Sequence, residues 1–393
     1  MRVGRTLPPA AAPVCWRALW HGLTAALAGE RAILAREEEI RREFGVDHVF
    51  LLSSGSAALT VALLALKRLS SRSEVVIPAY TCFSVPAAVL KAGLRPVLGD
   101  IDPLTFDFDR ASLERAITPD TLCVVVHHLF GVPSDVERTR AVCAARGVFV
   151  LEDAAQAMGV EANGRKLGTI GDLGIFSFGR GKNVTCGSGG AIVTRSRAIA
   201  AAIRRQWRDV PPQRLVDAVK DVARFALMTA FIRPRLYWIP ASLPFLRLGE
   251  TIFPRDVRVR RMPAAAAGLL HGWQERLRRS NRLRADTATY FRQRLRLPVA
   301  AGDSYLRMPL LARDPAAKQH LCTLSRARGL GLSAAYPTPV SDIPQLRAAF
   351  RGQRFPAARR VAANLLTLPT HEWVSERDKQ AIAELWRTAQ VAS

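Results

Sequence analysis

Two residues near the middle of the chain have side chains that together could carry out covalent chemistry. Asp153 follows the apolar, β-favouring run 149–151, so it is expected at the end of a buried parallel strand, where such sheets bind ligands. Lys182 stands between Gly181 and Asn183 in a glycine-rich stretch, and it is one of only seven lysines in an arginine-rich chain. A lysine amine forms a Schiff base with a cofactor aldehyde, and a carboxylate keeps a pyridine nitrogen protonated. The pair therefore suggests pyridoxal phosphate.

Each of these residues also has an ordinary interpretation. An aspartate after an apolar strand is equally consistent with a helix cap or a turn former. An ordinary solvated surface explains Lys182 less well, because the chain has so few lysines. The spacing between Asp153 and Lys182 does not by itself establish a Schiff base.

A third group, Gly55, Ser56 and Ala57, precedes the apolar helical pattern 59–66. Backbone N–H groups and a serine hydroxyl at a helix N-terminus bind phosphate well, so this group is predicted to hold the phosphate of the cofactor. An ordinary serine N-cap is the alternative.

In chain order, the motifs resemble those of the DegT/DnrJ/EryC1/StrS group of pyridoxal-phosphate-dependent sugar aminotransferases, which are similar to aspartate aminotransferases in fold. The resemblance covers nearly the whole chain and rests on segments 44–46, 53–59, 77–81, 99–103, 128–133, 153–182, 261–262, 336–339 and 368–371. It implies an α/β protein of fold-type I. Such a protein has a large, mostly parallel central sheet with helices on both faces and a smaller C-terminal α/β domain.

The resemblance also implies roles for individual residues. Lys182 would hold the cofactor covalently, Asp153 would pair with the pyridinium, and Gln156 would contact the ring or its phenolic oxygen. The remaining cofactor contacts would come from Gly55, Ser56, Ala57, Ser177 and Asn183.

The substrate is expected near Tyr80, His128, Tyr336 and His371, and no metal is expected. His371 is equally well interpreted as a capping histidine or a histidine satisfied within the core.

Four residues depart from the family pattern close to the expected cofactor: Cys82, Met158, Ser188 and Val259. Cys82 stands where the family commonly has an aromatic ring stacked on the pyridine. Strand alternation is expected to direct Tyr80 and Phe83 away from the face of Cys82, so the sequence predicts that this stack is missing. Val259 stands where an asparagine of a partner subunit often reaches the phosphate.

Relatives that dehydrate sugars have histidine in place of the lysine, so Lys182 favours complete transamination. The resemblance implies an amino-acid donor, expected to be L-glutamate, a keto-sugar nucleotide acceptor and a homodimer in polysaccharide or amino-sugar biosynthesis. Two alternatives stay open. One is a non-catalytic or membrane-docked scaffold of a glycan-assembly pathway that keeps the fold, and the other is an aminotransferase for a non-sugar carbonyl.

Composition agrees with an enzyme of more than one domain, because 393 residues with 49% hydrophobic content can bury a large core. The predicted parts are an N-terminal arm (1–27), a large cofactor-binding domain (28–205), an insertion or lid (206–256) and a small C-terminal domain (257–393). Segment 215–253 mixes apolar, aromatic and basic residues, but no stretch in it reaches the length needed to cross a bilayer. A dimer contact or a lid is favoured for it over an interfacial membrane element.

The net charge of +24 is spread along the chain without a nucleic-acid-binding signature, so no specific nucleic-acid partner is predicted. The six cysteines have no metal-ligand spacing, which favours free thiols and a cytoplasmic protein. The N-terminal residues lack a continuous hydrophobic region, and no cleaved signal peptide is predicted.

Overall fold

A seven-stranded sheet forms the centre of the computed structural model, which describes residues 2–246, 248–295 and 302–391. In chain order, the strands of the molecule are β1 (His48–Leu52), β2 (Glu74–Pro78), β3 (Arg95–Gly99), β4 (Thr121–His127), β5 (Phe149–Asp153), β6 (Glu161–Ala162), β7 (Arg165–Lys166), β8 (Leu173–Ser177), β9 (Gly190–Thr194), β10 (Arg307–Leu311) and β11 (Leu365–Pro369).

Helices cover the sheet and build the C-terminal part. They are α1 (Trp16–Ala28), α2 (Glu30–Phe44), α3 (Gly55–Lys67), α4 (Ser84–Lys91), α5 (Arg110–Ala116), α6 (Val136–Ala144), α7 (Arg197–Trp207), α8 (Leu215–Phe231), α9 (Pro234–Ala241), α10 (Ala264–Leu269), α11 (Trp273–Leu295), α12 (Pro315–Arg328), α13 (Pro356–Asn364) and α14 (Glu376–Val391).

The central sheet has the order β1-β9-β8-β5-β4-β2-β3. β9 runs antiparallel to both of its neighbours, and the other neighbouring strands pair in parallel. β4 and β5 are aligned so that His127 pairs with Asp153 at their carboxyl ends. The predicted α/β class with a large, mostly parallel sheet is confirmed, and this register brings the two C-terminal strand ends to one edge.

Apolar side chains are buried on both faces of the sheet. A large cluster joins α3, α4 and α7 to the sheet and continues into the C-terminal part. A second cluster packs α2 and α10 on the other face, and a third covers that side near α5 and α6. Strands buried on both faces explain the continuous apolar runs in the sequence, such as the fully buried β2 and β4.

The C-terminal part contains the two-stranded antiparallel sheet of β10 and β11 together with α11 to α14. The N-terminal arm lies against this part, since the backbone N–H of Leu7 donates to Gly329 O at 2.9 Å. The predicted boundary at residue 27 falls inside α1, and the one at residue 205 falls inside α7. Both of these boundaries therefore lie within continuous helices.

Segment 215–253 contains α8, α9 and a 3₁₀ turn at Pro244–Leu246, with Arg247 outside the described residues. Several of its large apolar side chains are exposed, including Val216, Leu227 and Phe245. Across the described ranges, no helix combines the length and apolar character that a membrane crossing requires.

Candidate active site

Asp153 is the last residue of β5, and Lys182 lies in the loop that leaves the neighbouring parallel strand, β8. Burial lowers the pKa of Lys182, and the field of Asp153 opposes this shift. Since the two groups influence each other electrostatically, the fold brings them into one site. A lysine with a lowered pKa has a larger neutral, nucleophilic fraction, as bond formation with an aldehyde requires.

The N-terminus of α3 meets the end of β8 in the same region. A Cβ placed on Gly55 would lie 2.8 Å from Ser177 Cβ and 2.9 Å from its Oγ, so only glycine allows this approach. The N–H of Ala57 is used within the helix cap, because it donates to Ser54 Oγ at 3.0 Å. Among the described residues, the N–H groups of Gly55 and Ser56 have no protein acceptor, and they are the ones left for an anion.

Gln156 connects the sheet to the C-terminal part. Its Oε1 accepts from the N–H of Phe130 at 3.1 Å, and its Nε2 donates to the hydroxyl of Tyr336 at 2.9 Å. Burial keeps the pKa of Tyr336 well above its usual value, so the phenol stays protonated. Gln156 therefore has both ends of its amide engaged by protein groups.

Tyr80 packs against Tyr336, with ring centroids 5.7 Å apart, and its hydroxyl donates to Tyr336 O at 3.2 Å. Phe83 lies on the same ring at 6.2 Å. β2 ends at Pro78, so residues 79–83 form a loop to which strand alternation does not apply. Both aromatic rings pack against Tyr336, and the absence of a ring stacked on the pyridine stays a prediction. Tyr80 is fully buried, which places it beneath the site rather than at its surface.

His128 lies on the other side of the strand ends from Asp153. Its Nε2 is 2.9 Å from Glu152 Oε2, and its Nδ1 accepts from the N–H of Ser134 at 3.1 Å. The ring is completely buried. With both ring nitrogens engaged and no exposed surface, His128 has no free group with which to bind a substrate, and its role here is structural.

His127, which the sequence reasoning passed over, faces the site instead. It is paired in register with Asp153, and its nitrogens lie 3.0 Å from Thr81 Oγ1 and 2.8 Å from Phe106 O. Burial lowers the pKa of His127 to about 4. The sequence did contain a signal for His127. Side chains alternate between the two faces of a sheet, so a residue paired in register with Asp153 on the neighbouring strand points to the same face.

His371 is also a core histidine. Its Nε2 donates to Pro8 O at 2.8 Å, and its Nδ1 accepts from the N–H of Trp373 at 3.3 Å. Burial lowers the pKa of His371 to about 3, so the ring is neutral. It fastens the N-terminal arm to the C-terminal part, in line with the interpretation as a histidine satisfied within the core.

Asn183 is buried next to Lys182. Its Nδ2 donates to Asn281 Oδ1 on α11 at 3.2 Å, while its Oδ1 is buried without a hydrogen-bond partner. Asn281 in turn donates to Met158 O at 3.0 Å. This chain of contacts positions the loop that carries Lys182 against α11.

The four departures from the family pattern have separate environments. Cys82 lies close to Lys182 and Tyr336 and accepts from Ser84 Oγ at 3.0 Å. Met158 is buried in the core, Ser188 Oγ donates to Ser53 O at 2.7 Å, and Val259 packs at the edge of the large apolar cluster. Of the four, only Cys82 contacts the groups around Lys182.

Arg307 is a further site residue that sequence reasoning missed. It begins β10, its Cζ lies 5.5 Å from the centroid of the Phe130 ring, and its charge lowers the pKa of Lys182. An isolated arginine in an arginine-rich sequence carries no signal, so only the folded chain shows that it belongs to the site.

These residues fit pyridoxal phosphate. The lysine has a lowered pKa, a carboxylate stands at the adjacent strand end, and a helix N-terminus offers two free N–H groups beside Ser177. These are the amine, the pyridinium partner and the phosphate cradle that this cofactor needs.

Residues 26–209 match the model of the DegT/DnrJ/EryC1/StrS aminotransferase family. The match spans a little less than half of the 393 residues. The matched region contains Lys182, Asp153, Gln156 and the N-terminus of α3, so the groups that fit the cofactor lie within the family's own segment.

Two curated proteins are similar to this chain over part of its length. The L-glutamine:2-deoxy-scyllo-inosose aminotransferase of Streptoalloteichus tenebrarius is 38% identical over 47% of this chain and 44% of its own. The UDP-N-acetyl-3-dehydro-alpha-D-glucosamine 3-aminotransferase of Acidithiobacillus ferrooxidans is 37% identical over 43% of this chain and 46% of its own. The chain thus spans less than half the length of these relatives.

A likeness of fold to solved structures extends beyond the matched segment. The solved structure of Helicobacter pylori PseC, an aminotransferase of pseudoaminic acid biosynthesis, superposes with a TM-score of 0.78 at 17% identity, covering 98% of this chain and 99% of that one. At this identity the likeness describes the fold alone.

Proposed function

We propose that the protein is a pyridoxal-phosphate-dependent aminotransferase that moves an amino group from an amino acid, expected to be L-glutamate, to a keto-sugar nucleotide in polysaccharide or amino-sugar biosynthesis. The observation that carries the proposal is the half-buried Lys182 in the loop after β8, next to the end of β5 where Asp153 lies. The two curated relatives are named for amino transfer to a cyclitol ketone and to a keto-sugar nucleotide, which supports the acceptor class.

The bound cofactor supplies an electron-accepting ring. Asp153 would pair with its pyridine nitrogen and keep that nitrogen protonated, and Lys182 would hold the cofactor through its amine and serve as the group that carries the proton. Gln156 would contact the ring, and Gly55, Ser56 and Ser177 would hold the phosphate. Tyr336 would form the wall nearest the C-terminal part, with Tyr80 packed behind it.

We also propose a cytoplasmic homodimer, with segment 215–253 at a contact between subunits. The exposed apolar residues of α8 and of the following turn support this, because apolar patches of this kind often mark protein interfaces. Analytical ultracentrifugation tests it: Val216→Glu combined with Phe245→Glu should favour the monomer. An unchanged dimer would place the interface elsewhere.

The test of the proposed activity is the absorbance spectrum of the purified protein with added pyridoxal phosphate, before and after L-glutamate. We expect a cofactor band that glutamate converts to the pyridoxamine form. Lys182→Ala should abolish both the band and the cofactor-modified peptide found after borohydride reduction. Lys166→Ala is the control, since Lys166 pairs with Glu43 at 2.9 Å and should leave the spectrum unchanged.

A modified peptide that persists in the Lys182→Ala protein would contradict the assignment of Lys182. If the wild-type protein forms no lysine-dependent band, the non-catalytic scaffold becomes the better description of this chain.

A further inference from the structure

Arg307 is a cation without an anionic partner at the centre of the site. Within the described residues its guanidinium forms no ion pair and no hydrogen bond, and its Nε is buried with no partner. Its protein contact is the face of Phe130, 5.5 Å from Cζ to the ring centroid. A buried guanidinium nitrogen without a partner loses its hydration. A ligand that supplies an acceptor would restore this interaction.

The other well-buried arginine of this region is satisfied by the protein. Arg284 donates to Leu306 O and Ala11 O, each at 2.5 Å, and to Ser280 Oγ at 3.2 Å. Arg138, Arg261 and Arg276 also have a buried Nε without a partner, but each donates through another guanidinium nitrogen. Among the described residues, no such bond is found for Arg307.

The backbone around Arg307 is firmly held. The N–H of Leu306 donates to Phe130 O at 2.7 Å, and the N–H of Phe130 is bound by Gln156. Phe130 has a φ of 59°, a left-handed conformation that a bulky residue adopts only when its surroundings enforce it. The aromatic platform under the guanidinium is thus fixed before any substrate arrives.

We propose that Arg307 binds the α-carboxylate of the amino-acid donor, an inference that rests on the proposed function. The donor nitrogen must react where Lys182 holds the cofactor, and its α-carboxylate is attached to the carbon next to that nitrogen. The diphosphate of a sugar nucleotide is separated from the reacting carbon by the sugar ring, so it belongs farther out. An arginine close enough to change the pKa of Lys182 therefore suits the carboxylate better.

Guanidinium and carboxylate match in geometry, since two parallel N–H···O bonds form between them. The loss of such charge-assisted bonds weakens binding by about 10- to 100-fold. Because the effect acts through the α-carboxylate, it should spare an amine that lacks this group.

The test compares L-glutamate with 4-aminobutanoate, which is glutamate without its α-carboxylate, in the wild-type holoenzyme and in Arg307→Leu. The measured quantity is the concentration of each amine that half-converts the cofactor spectrum. We expect Arg307→Leu to weaken the glutamate response about 10- to 100-fold and to leave the 4-aminobutanoate response unchanged. Calorimetric binding of glutarate, a dicarboxylate without an amine, should weaken in parallel and reports affinity without turnover.

Two further variants control for charge and folding. Arg294→Leu removes the same charge from the exposed face of α11 and should behave as the wild type. Arg307→Lys keeps the charge and loses the planar guanidinium, so its glutamate response should lie between those of the wild type and Arg307→Leu. This variant also keeps the test informative if Arg307→Leu does not fold.

Equal losses for both amines, or an unchanged glutamate response, would overturn the role of Arg307 while leaving the proposed function intact. A loss confined to the sugar-nucleotide half-reaction would overturn it in favour of diphosphate binding. A wild-type protein without a Lys182-dependent spectrum would overturn the proposed function, and the role of Arg307 with it.

Discussion

The amide of Gln156 is the residue-scale link between the strand that carries Asp153 and the C-terminal part. It accepts from Phe130 and donates to Tyr336, and the three residues are buried. Each of these hydrogen bonds replaces one that the group would make with water in the unfolded chain. Because the site is buried, removing one partner leaves the other group without a hydrogen bond.

We predict that Gln156→Leu lowers the free energy of unfolding by about 3 kcal/mol, because it leaves the Phe130 N–H and the Tyr336 hydroxyl with fewer partners. Tyr336→Phe should cost about 1 to 2 kcal/mol, since it removes one acceptor. Urea unfolding of both variants and of the double variant measures this. A double variant equal to the sum of the two would show that the residues are not coupled.

At the scale of elements, the approach of α3 to β8 depends on the absence of a side chain at residue 55. A methyl group on Gly55 would meet Ser177 at 2.8 Å, whereas one on Gly179 would meet Ser177 Oγ at 3.5 Å, an ordinary contact. The two glycines offer a matched comparison beside the same serine.

Gly55→Ala should weaken binding of pyridoxal phosphate at least about tenfold, because displacing the helix start by a fraction of an ångström misaligns its N–H groups. Gly179→Ala should bind pyridoxal phosphate with an affinity closer to that of the wild type. Equilibrium titration followed by absorbance measures both affinities. Equal affinity in the two variants would argue that the α3 N-terminus does not hold the phosphate.

A second contact between elements joins α2 to β1 through Glu37, whose Oε1 accepts from the N–H of Leu51 at 3.3 Å. Burial raises the pKa of Glu37 to about 7. The folded state therefore binds a proton more tightly than the unfolded chain does. The associated stabilisation is complete below the unfolded pKa of about 4.5 and is lost as the pH rises through about 7.

We predict that Glu37→Gln removes about 2 kcal/mol of pH-dependent stability between about pH 5 and pH 8. Unfolding free energies measured across this range check the prediction. Glu38→Gln is the control, because Glu38 pairs with Arg41 at 2.6 Å on the surface and its pKa is lowered, so the slope in this window should persist. An unaltered slope in Glu37→Gln would assign the pH dependence to other groups.

At the scale of the whole molecule, Arg284 joins three separate parts of the chain. It donates to Ala11 in the N-terminal arm, to Leu306 before β10 and to Thr370 after β11. Burial lowers its pKa to about 10, so it remains charged near neutral pH, and its contacts with carbonyl and hydroxyl oxygens compensate for lost hydration.

Arg284→Leu should destabilise the protein by about 3 kcal/mol, because the carbonyl groups it binds would stay buried without donors. Arg282→Leu, on the exposed side of the same helix, should change stability by less than about 0.5 kcal/mol. Thermal or urea unfolding of the two variants distinguishes them. Similar losses in both would mean that total charge, rather than the buried contacts, sets the stability.

The sequence determined the fold class and the parts of the site that lie close together along the chain. Continuous apolar runs predict strands buried on both faces, and the order of motifs from Gly55 to Lys182 points to one family. The buried strands and the start of α3 follow from local composition and spacing, because neighbouring residues share one element. The fold type was implied by the resemblance of the motifs to that family. The family model matches this same portion of the chain, residues 26–209.

Only the tertiary structure decided which distant side chains enter the site and which serve the core. His128 and His371 look like candidate ligands by type, yet both have their ring nitrogens bound by protein groups. Arg307 carries no motif, yet it lies beside Lys182 with its Nε unpartnered. Burial and hydrogen-bond satisfaction depend on what packs against a residue from remote parts of the chain. The residue type and its local spacing therefore do not contain that information.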